Sequence, residues 1–141
     1  MHQTLCRRLL ERQVQAVNTG PVRARLLGPV GLDGDRALVS FRTADRDHLL
    51  AFDGPNYDAE PLAMQVLRPD TREPLPGPGW PAGLYFGSDH PALGRAWTCV
   101  RGLYEYYCHP SHLTERWDQQ RYALRFEILL GQLLDKAAVP R

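Results

Sequence analysis

Lysine is nearly absent. All but one of the 17 basic residues are Arg, and Lys136 is the exception. Codon bias in a GC-rich genome is the plain reading; a surface offering almost no amine to a reactive acyl group is the sharper one. On the sharper reading the scarcity limits self-acylation, and strong acylation of Lys136 would count against it. Cysteine is also sparse, and its number is odd: Cys6, Cys99 and Cys108. That excludes a disulfide framework and leaves reduced thiols free to act as nucleophiles or ligands. Charge of either sign is not in excess, with 17 basic against 16 acidic residues and a formal net charge of +1. No electrostatic footprint for nucleic acid or an anionic membrane follows from such a balance. Long apolar runs are missing too, none approaching the roughly 20 residues that cross a bilayer. The opening MHQTLCRRLLERQ is too charged for the apolar segment of a signal peptide. A cytoplasmic protein with no nucleic-acid and no membrane partner is expected.

What is present is enough for one domain spanning residues 1–141, since 43% of the residues are apolar. Residues 3–17 place Cys6, Leu9, Leu10, Val14 and Val17 at helical spacing, with Thr4 as a cap, and Asn18-Thr19-Gly20-Pro21 stops the helix. Strand patterns follow at 22–28, 36–43, 48–54 and 62–69. Their connections are too short for crossover helices, so a four-stranded antiparallel meander is expected. Residues 69–91 hold six prolines and four glycines and read as a long ordered loop pinned by Trp80, Tyr85 and Phe86. A second amphipathic helix is predicted from Tyr122 to Ala137 on the stripe Phe126, Leu129, Leu130, Leu133, Leu134 and Ala137. The fold class is therefore α+β, with the chemistry carried by the loop region between the sheet and the last helix.

The segment GRAWTCVRGLYEYYCHPSH, residues 94–112, concentrates the reactive side chains. Cys99 is the leading nucleophile, flanked by Arg95 and Arg101, which favour a thiolate; a thiol packed between Trp97 and Val100 is the competing reading. Cys108, next to His109, is the rival nucleophile, and Cys6 lies on the apolar stripe of the first helix. His109 and His112 face the same way if Pro110-Ser111 begins a turn. They then serve as base or oxyanion donor, as a metal pair completed by Cys99, Cys108 or His90, or as a structural cluster. A lone H-x-x-H is weak evidence for zinc, so no cofactor is expected, with zinc on Cys99, Cys108, His109 and His112 as the alternative. Glu105, Glu115 and Asp118 are placed to orient a histidine through its second nitrogen or to stand as solvated surface carboxylates.

The order of these features resembles the ubiquitin-conjugating enzyme family. Tyr57-Asp58-Ala59-Glu60-Pro61 sits between the third and fourth strands, His90-Pro91 precedes Cys99, and Trp117 and a helix follow it. The run Cys99, Gly102, Leu103, Glu105, Tyr106, His109, Pro110, Ser111, His112 and Trp117 is similar to a divergent bacterial branch. Members of that branch are expected beside ThiF-type activating enzymes, ubiquitin-like proteins and JAB peptidases in anti-phage operons. The resemblance implies a UBC-like fold with residues 69–91 as an insertion. It further implies a modifier carried as a thioester on Cys99, with His90, His109 and His112 in the catalytic set, and transfer to an amine on a protein target. Tyr104, Tyr106 and Trp117 would contact the ubiquitin-like partner. Three departures bear on this: Ala92 stands where eukaryotic members have an Asn that helps with the oxyanion, the spacing from Cys99 to Trp117 is longer than in those enzymes, and His90 comes 33 positions after Tyr57. A catalytically inactive UBC-like scaffold and a Cys/His metal-binding protein are the alternative functions.

Overall fold

The computed structural model describes residues 2–139. Helix α1 spans Gln3–Thr19 and buries Cys6, Leu10, Val14 and Val17 of the expected stripe, with Leu9 partly buried beside them. Its cap is His2 rather than Thr4: the His2 side chain accepts from the Thr4 amide, Nδ1 to N 3.2 Å. Gly20 ends the helix and Pro21 opens a 3₁₀ turn, Pro21–Arg25. The strand expected over 22–28 is thus absent. Pro21 fixes φ near its helical value, and the amides of Arg23 and Leu26 turn back onto the carbonyls of Gly20 and Arg23.

The first strand comes later. Strands β1 (Gly31–Asp33), β2 (Arg36–Arg42), β3 (Asp47–Asp53) and β4 (Ala63–Leu67) form one antiparallel sheet in the order β1-β2-β3-β4. The register pairs Val39 with Leu50, and Leu50 with Val66. Alternation sends Val39, Phe41, Leu50, Phe52, Met64 and Val66 into the main core, while Leu49, Ala51 and Leu67 form a small cluster on the other face. Helix α4 (Phe126–Ala137) buries the six stripe residues named above, and Phe126 meets Phe52 edge-on at 4.9 Å between ring centroids. The helix begins four residues later than the sequence pattern suggests. Tyr122 is 68% exposed and lies beside Arg121 and Arg125, so the apolar stripe starts only at Phe126.

The Pro-rich loop is ordered by its own hydrogen bonds. Leu75 donates through its amide to the Val66 carbonyl at 2.9 Å, which lays the loop back along β4, and Trp80 Nε1 donates to the Leu75 carbonyl at 2.7 Å. Two four-residue helices, α2 (Tyr104–Tyr107) and α3 (Trp117–Gln120), complete the chain. Among the described residues, no helix is long and apolar enough to cross a membrane.

Candidate active site

The site segment is stitched to the sheet before it reaches the reactive side chains. The Tyr104 amide donates to the Leu62 carbonyl at 2.8 Å, just ahead of β4. Glu105, 1% exposed, accepts the Met64 amide at 2.9 Å and pairs with Arg95 at 2.7 Å. Burial raises the Glu105 carboxyl above its ordinary range, against the opposing pull of Arg95. Further along, the Phe86 amide donates to the Trp97 carbonyl at 2.9 Å and the His90 amide to the Arg95 carbonyl at 2.8 Å. Gly102 takes a φ of +108° with Leu129 and Leu124 packed against it, a backbone state and a clearance that only glycine supplies there. Cys99 is held between these anchors, with Trp97, Thr98 and Val100 buried around it.

Three of the candidate groups converge in a line. Cys99 Sγ lies 3.6 Å from His112 Nε2, and His112 Nδ1 lies 3.3 Å from a Glu115 carboxylate oxygen. With Nδ1–H directed to Glu115, the Nε2 lone pair faces the thiol, the tautomer a general base requires. Glu115 is itself fixed: it accepts from the Tyr106 hydroxyl, from Arg101 Nε at 3.0 Å and from Gln120 Nε2 at 3.2 Å. The Tyr106 hydrogen bond, more than any other contact, holds the Glu115 carboxyl below the usual range and keeps it ionised. The Tyr106 ring also stacks on the His112 imidazole, with centroids 3.9 Å apart and planes 13° from parallel. One tyrosine therefore holds both the base and the group that orients it.

The thiol is half-buried. Burial pushes the Cys99 pKa up, Lys136 draws it back and Glu115 adds to the rise. A thiol in this setting rests protonated near neutral pH and needs a base to become the nucleophile.

The remaining candidates are placed elsewhere. His90 is 1% exposed; its Nδ1 accepts the amides of Ala92 and Leu93 at 3.0 and 3.1 Å, so Nε2 carries the proton and donates to the Glu105 carbonyl at 2.8 Å. Both nitrogens are thereby engaged, and no hydrogen bond joins His90 to Cys99. Cys108 lies 3.5 Å from His90 Nε2, and its thiol donates to the Glu105 carbonyl at 3.7 Å; burial raises its pKa as well. His109 lies tilted beside His112, with ring centroids 5.7 Å apart and planes 47° apart. It stacks on Trp97 at 5.0 Å and caps the Pro110–His112 turn, Nδ1 accepting the Ser111 amide at 3.1 Å. Trp117 is buried and donates through Nε1 to the Asp58 carbonyl at 2.8 Å, while Tyr104 is 36% exposed.

Cys99, Cys108, His109 and His112 thus do not form one set: Cys99 goes with His112 and Cys108 with His90. Among the described residues, no group of three or more His, Cys, Asp or Glu side chains is arranged to hold a metal ion. Chemically, the line Cys99–His112–Glu115 is a nucleophile, a base and an orienting carboxylate. Glu115 was one of three carboxylates expected for that role; the clamp by Tyr106 was not expected, because sequence spacing does not show a ring lying flat on another. No known family model matches the chain, and no curated protein matches it.

Proposed function

We propose that the protein is an acyl-transfer enzyme of the ubiquitin-conjugating type that carries a ubiquitin-like protein as a thioester on Cys99. The single observation that carries this reading is the 3.6 Å approach of His112 Nε2 to the Cys99 thiol with Glu115 behind it. His112 takes the thiol proton as Sγ attacks the thioester carbonyl carbon of the modifier held by the activating enzyme; the C–S bond to that enzyme breaks and its departing sulfur takes the proton. Later a target amine attacks the Cys99 thioester, a C–N bond forms, the C–S bond breaks, and the amine proton passes through His112 to the Cys99 sulfur. Sulfur suits both halves, being a good nucleophile and then a good leaving group.

The surroundings of the thiol support a macromolecular acyl donor. Clefts of about 400 and 380 Å³ are lined by other residues, among them Trp80, Tyr85 and Arg95 in one and His48, Ala82 and Val139 in the other. Neither holds Cys99, His112 or Glu115. A half-exposed nucleophile outside such clefts fits an extended tail delivered by a protein better than an enclosed small molecule. The α+β order of helix, antiparallel meander, site segment and helix is compatible with a UBC-like fold.

The test is a charging assay with a ThiF-type activating enzyme, a ubiquitin-like protein and ATP, read by intact mass with and without reductant. The expected product is a reductant-sensitive adduct, lost in Cys99→Ala and retained in Cys108→Ala. An activating enzyme that charges itself but passes nothing on overturns the reading. A binding role without transfer is the second reading. It is favoured by Ala92, whose amide is spent on His90 Nδ1 at 3.0 Å and offers no replacement for the missing Asn amide.

A further inference from the structure

The base beside Cys99 is more firmly oriented than storage of an acyl group on sulfur requires. Arg101 Nε and Nη2, at 3.0 and 2.9 Å, and Gln120 Nε2, at 3.2 Å, all meet Oε1 of Glu115. The Tyr106 hydroxyl and His112 Nδ1 share the other oxygen, Oε2. Gln120 is oriented in turn: its Oε1 accepts from the Tyr107 hydroxyl at 2.6 Å, which leaves its NH₂ group for Glu115. Glu115 therefore presents one fixed oxygen to the imidazole and stabilises the imidazolium formed when Nε2 takes a proton. The His112 and Glu115 side chains are each 24% exposed, so solvent has access to the pair. Among the described residues the Cys99 amide has no hydrogen-bond partner, which leaves the nucleophile's own N–H for a carbonyl oxygen that gains charge. Cys108 provides the contrast, because both nitrogens of its neighbour His90 are engaged.

We propose that the site is also a cysteine hydrolase: with water as the acceptor, it cleaves thioesters of extended, unhindered acyl chains. The inference shares the acyl-Cys99 intermediate with the reading above and differs in what removes the acyl group. Cys99 Sγ attacks the substrate's carbonyl carbon, and its proton passes to His112 Nε2. The C–S bond of the substrate breaks, and the departing sulfur takes that proton. A water held by Nε2 then attacks the acyl-Cys99 carbonyl: a C–O bond forms, His112 takes the proton, and the C–S bond to Cys99 breaks. The proton returns to the Cys99 sulfur, and the product leaves as a carboxylic acid. Water is the only co-reactant; neither an activating enzyme nor ATP takes part. A base fixed beside the sulfur serves any acceptor that reaches the carbonyl, and solvent needs no groove of its own. Since Cys99 lies outside both clefts described above, no pocket selects a bulky acyl side chain.

The experiment mixes the full chain with excess N-acetylglycylglycine thioester of a small thiol, in isotopically labelled water. Wild type and Cys108→Ala are expected to release more than one equivalent of free acid carrying a solvent oxygen, and Cys99→Ala none above the protein-free rate. His112→Ala and wild type are then acylated on Cys99 at alkaline pH, where thiolate forms unaided, returned to neutral pH and followed by intact mass. Loss of the acyl group is expected to be about 10²- to 10⁴-fold slower from His112→Ala, the usual worth of a positioned base. Starting from a loaded Cys99 separates the water step from access to the thiol. An acyl-Cys99 that persists in wild type overturns the inference while leaving the thioester reading in place. Equal loss from His112→Ala, or equal release by Cys99→Ala, overturns it as well. A chain that takes no acyl group on Cys99 at any pH removes both readings.

Discussion

The imidazole of His112 connects a thiol that burial keeps protonated to a carboxylate that its hydrogen bonds keep ionised. Its removal has a specific signature. In His112→Ala, transfer from Cys99 near neutral pH is expected to fall by about 10²- to 10⁴-fold, the usual worth of a positioned base. Alkylation of Cys99 by iodoacetamide, followed by peptide mapping, separates chemistry from damage. Since burial raises the Cys99 pKa, the wild-type alkylation rate climbs into the alkaline range beyond an ordinary thiol. At that alkaline plateau wild type and His112→Ala should agree, because thiolate forms there without a base. A variant equally slow at the plateau would mean that the substitution closed off Cys99, and the base assignment would fall. Tyr106 divides in the same manner. Tyr106→Phe keeps the ring on His112 and loses the hydroxyl, which donates to Glu115 and accepts from Arg101 Nη2 at 3.4 Å, for about 1–2 kcal/mol of stability and a modest loss of rate. Tyr106→Ala loses both contacts, and a variant as active as Tyr106→Phe would show that the stack contributes nothing.

At the level of elements, β4 and α2 are joined through Glu105, which links Met64 of the strand to Arg95 of the site segment. The sign of its pH dependence follows from its raised pKa. The unfolded chain releases this proton at a lower pH than the fold does, so the contribution of Glu105 to stability declines as pH rises from the unfolded to the folded pKa. Glu105→Gln does not titrate. Its melting temperature relative to wild type should therefore improve between pH 4 and pH 7.5, a trend that thermal melts at the two pH values would detect; a trend in the opposite direction would mean that Arg95 outweighs burial. The same scale shows what the sequence made legible. α1, β2, β3, β4 and the stripe of α4 were readable because each is long enough to show its period. Residues 22–28 were misread because Pro21 and Gly20 impose a 3₁₀ turn that apolar pattern does not register. α2 and α3, at four residues each, are too short to carry a period. In the site, residue types brought Cys99, His112 and Glu115 forward, but nothing in H-P-S-H reveals that His109 caps the turn and faces Trp97 while His112 faces the thiol.

For the whole molecule, the Pro-rich segment 69–91 acts as a strut. Trp80 is 2% exposed within the main core, its Nε1 bonded to the Leu75 carbonyl, and Arg46 of the β2–β3 turn donates to the Gly79 carbonyl beside it. The segment leads directly to Phe86, whose amide holds Trp97, two residues from Cys99. A loosened strut should therefore be felt at the nucleophile. Trp80→Ala is expected to cost about 3–5 kcal/mol, the range for a large buried aromatic. Against a total of about 5–15 kcal/mol for a domain, that leaves a folded but weakened protein. Limited proteolysis should then cut the variant within 69–91 before any other site, while the wild type resists there despite its ten prolines and glycines. Iodoacetamide should reach Cys99 faster in the variant at equal pH, because the burial that protects the thiol is relaxed. Cleavage that begins elsewhere, or wild-type cleavage as fast as the variant's, would show that the segment is a passive connection and that Cys99 is held in place without it.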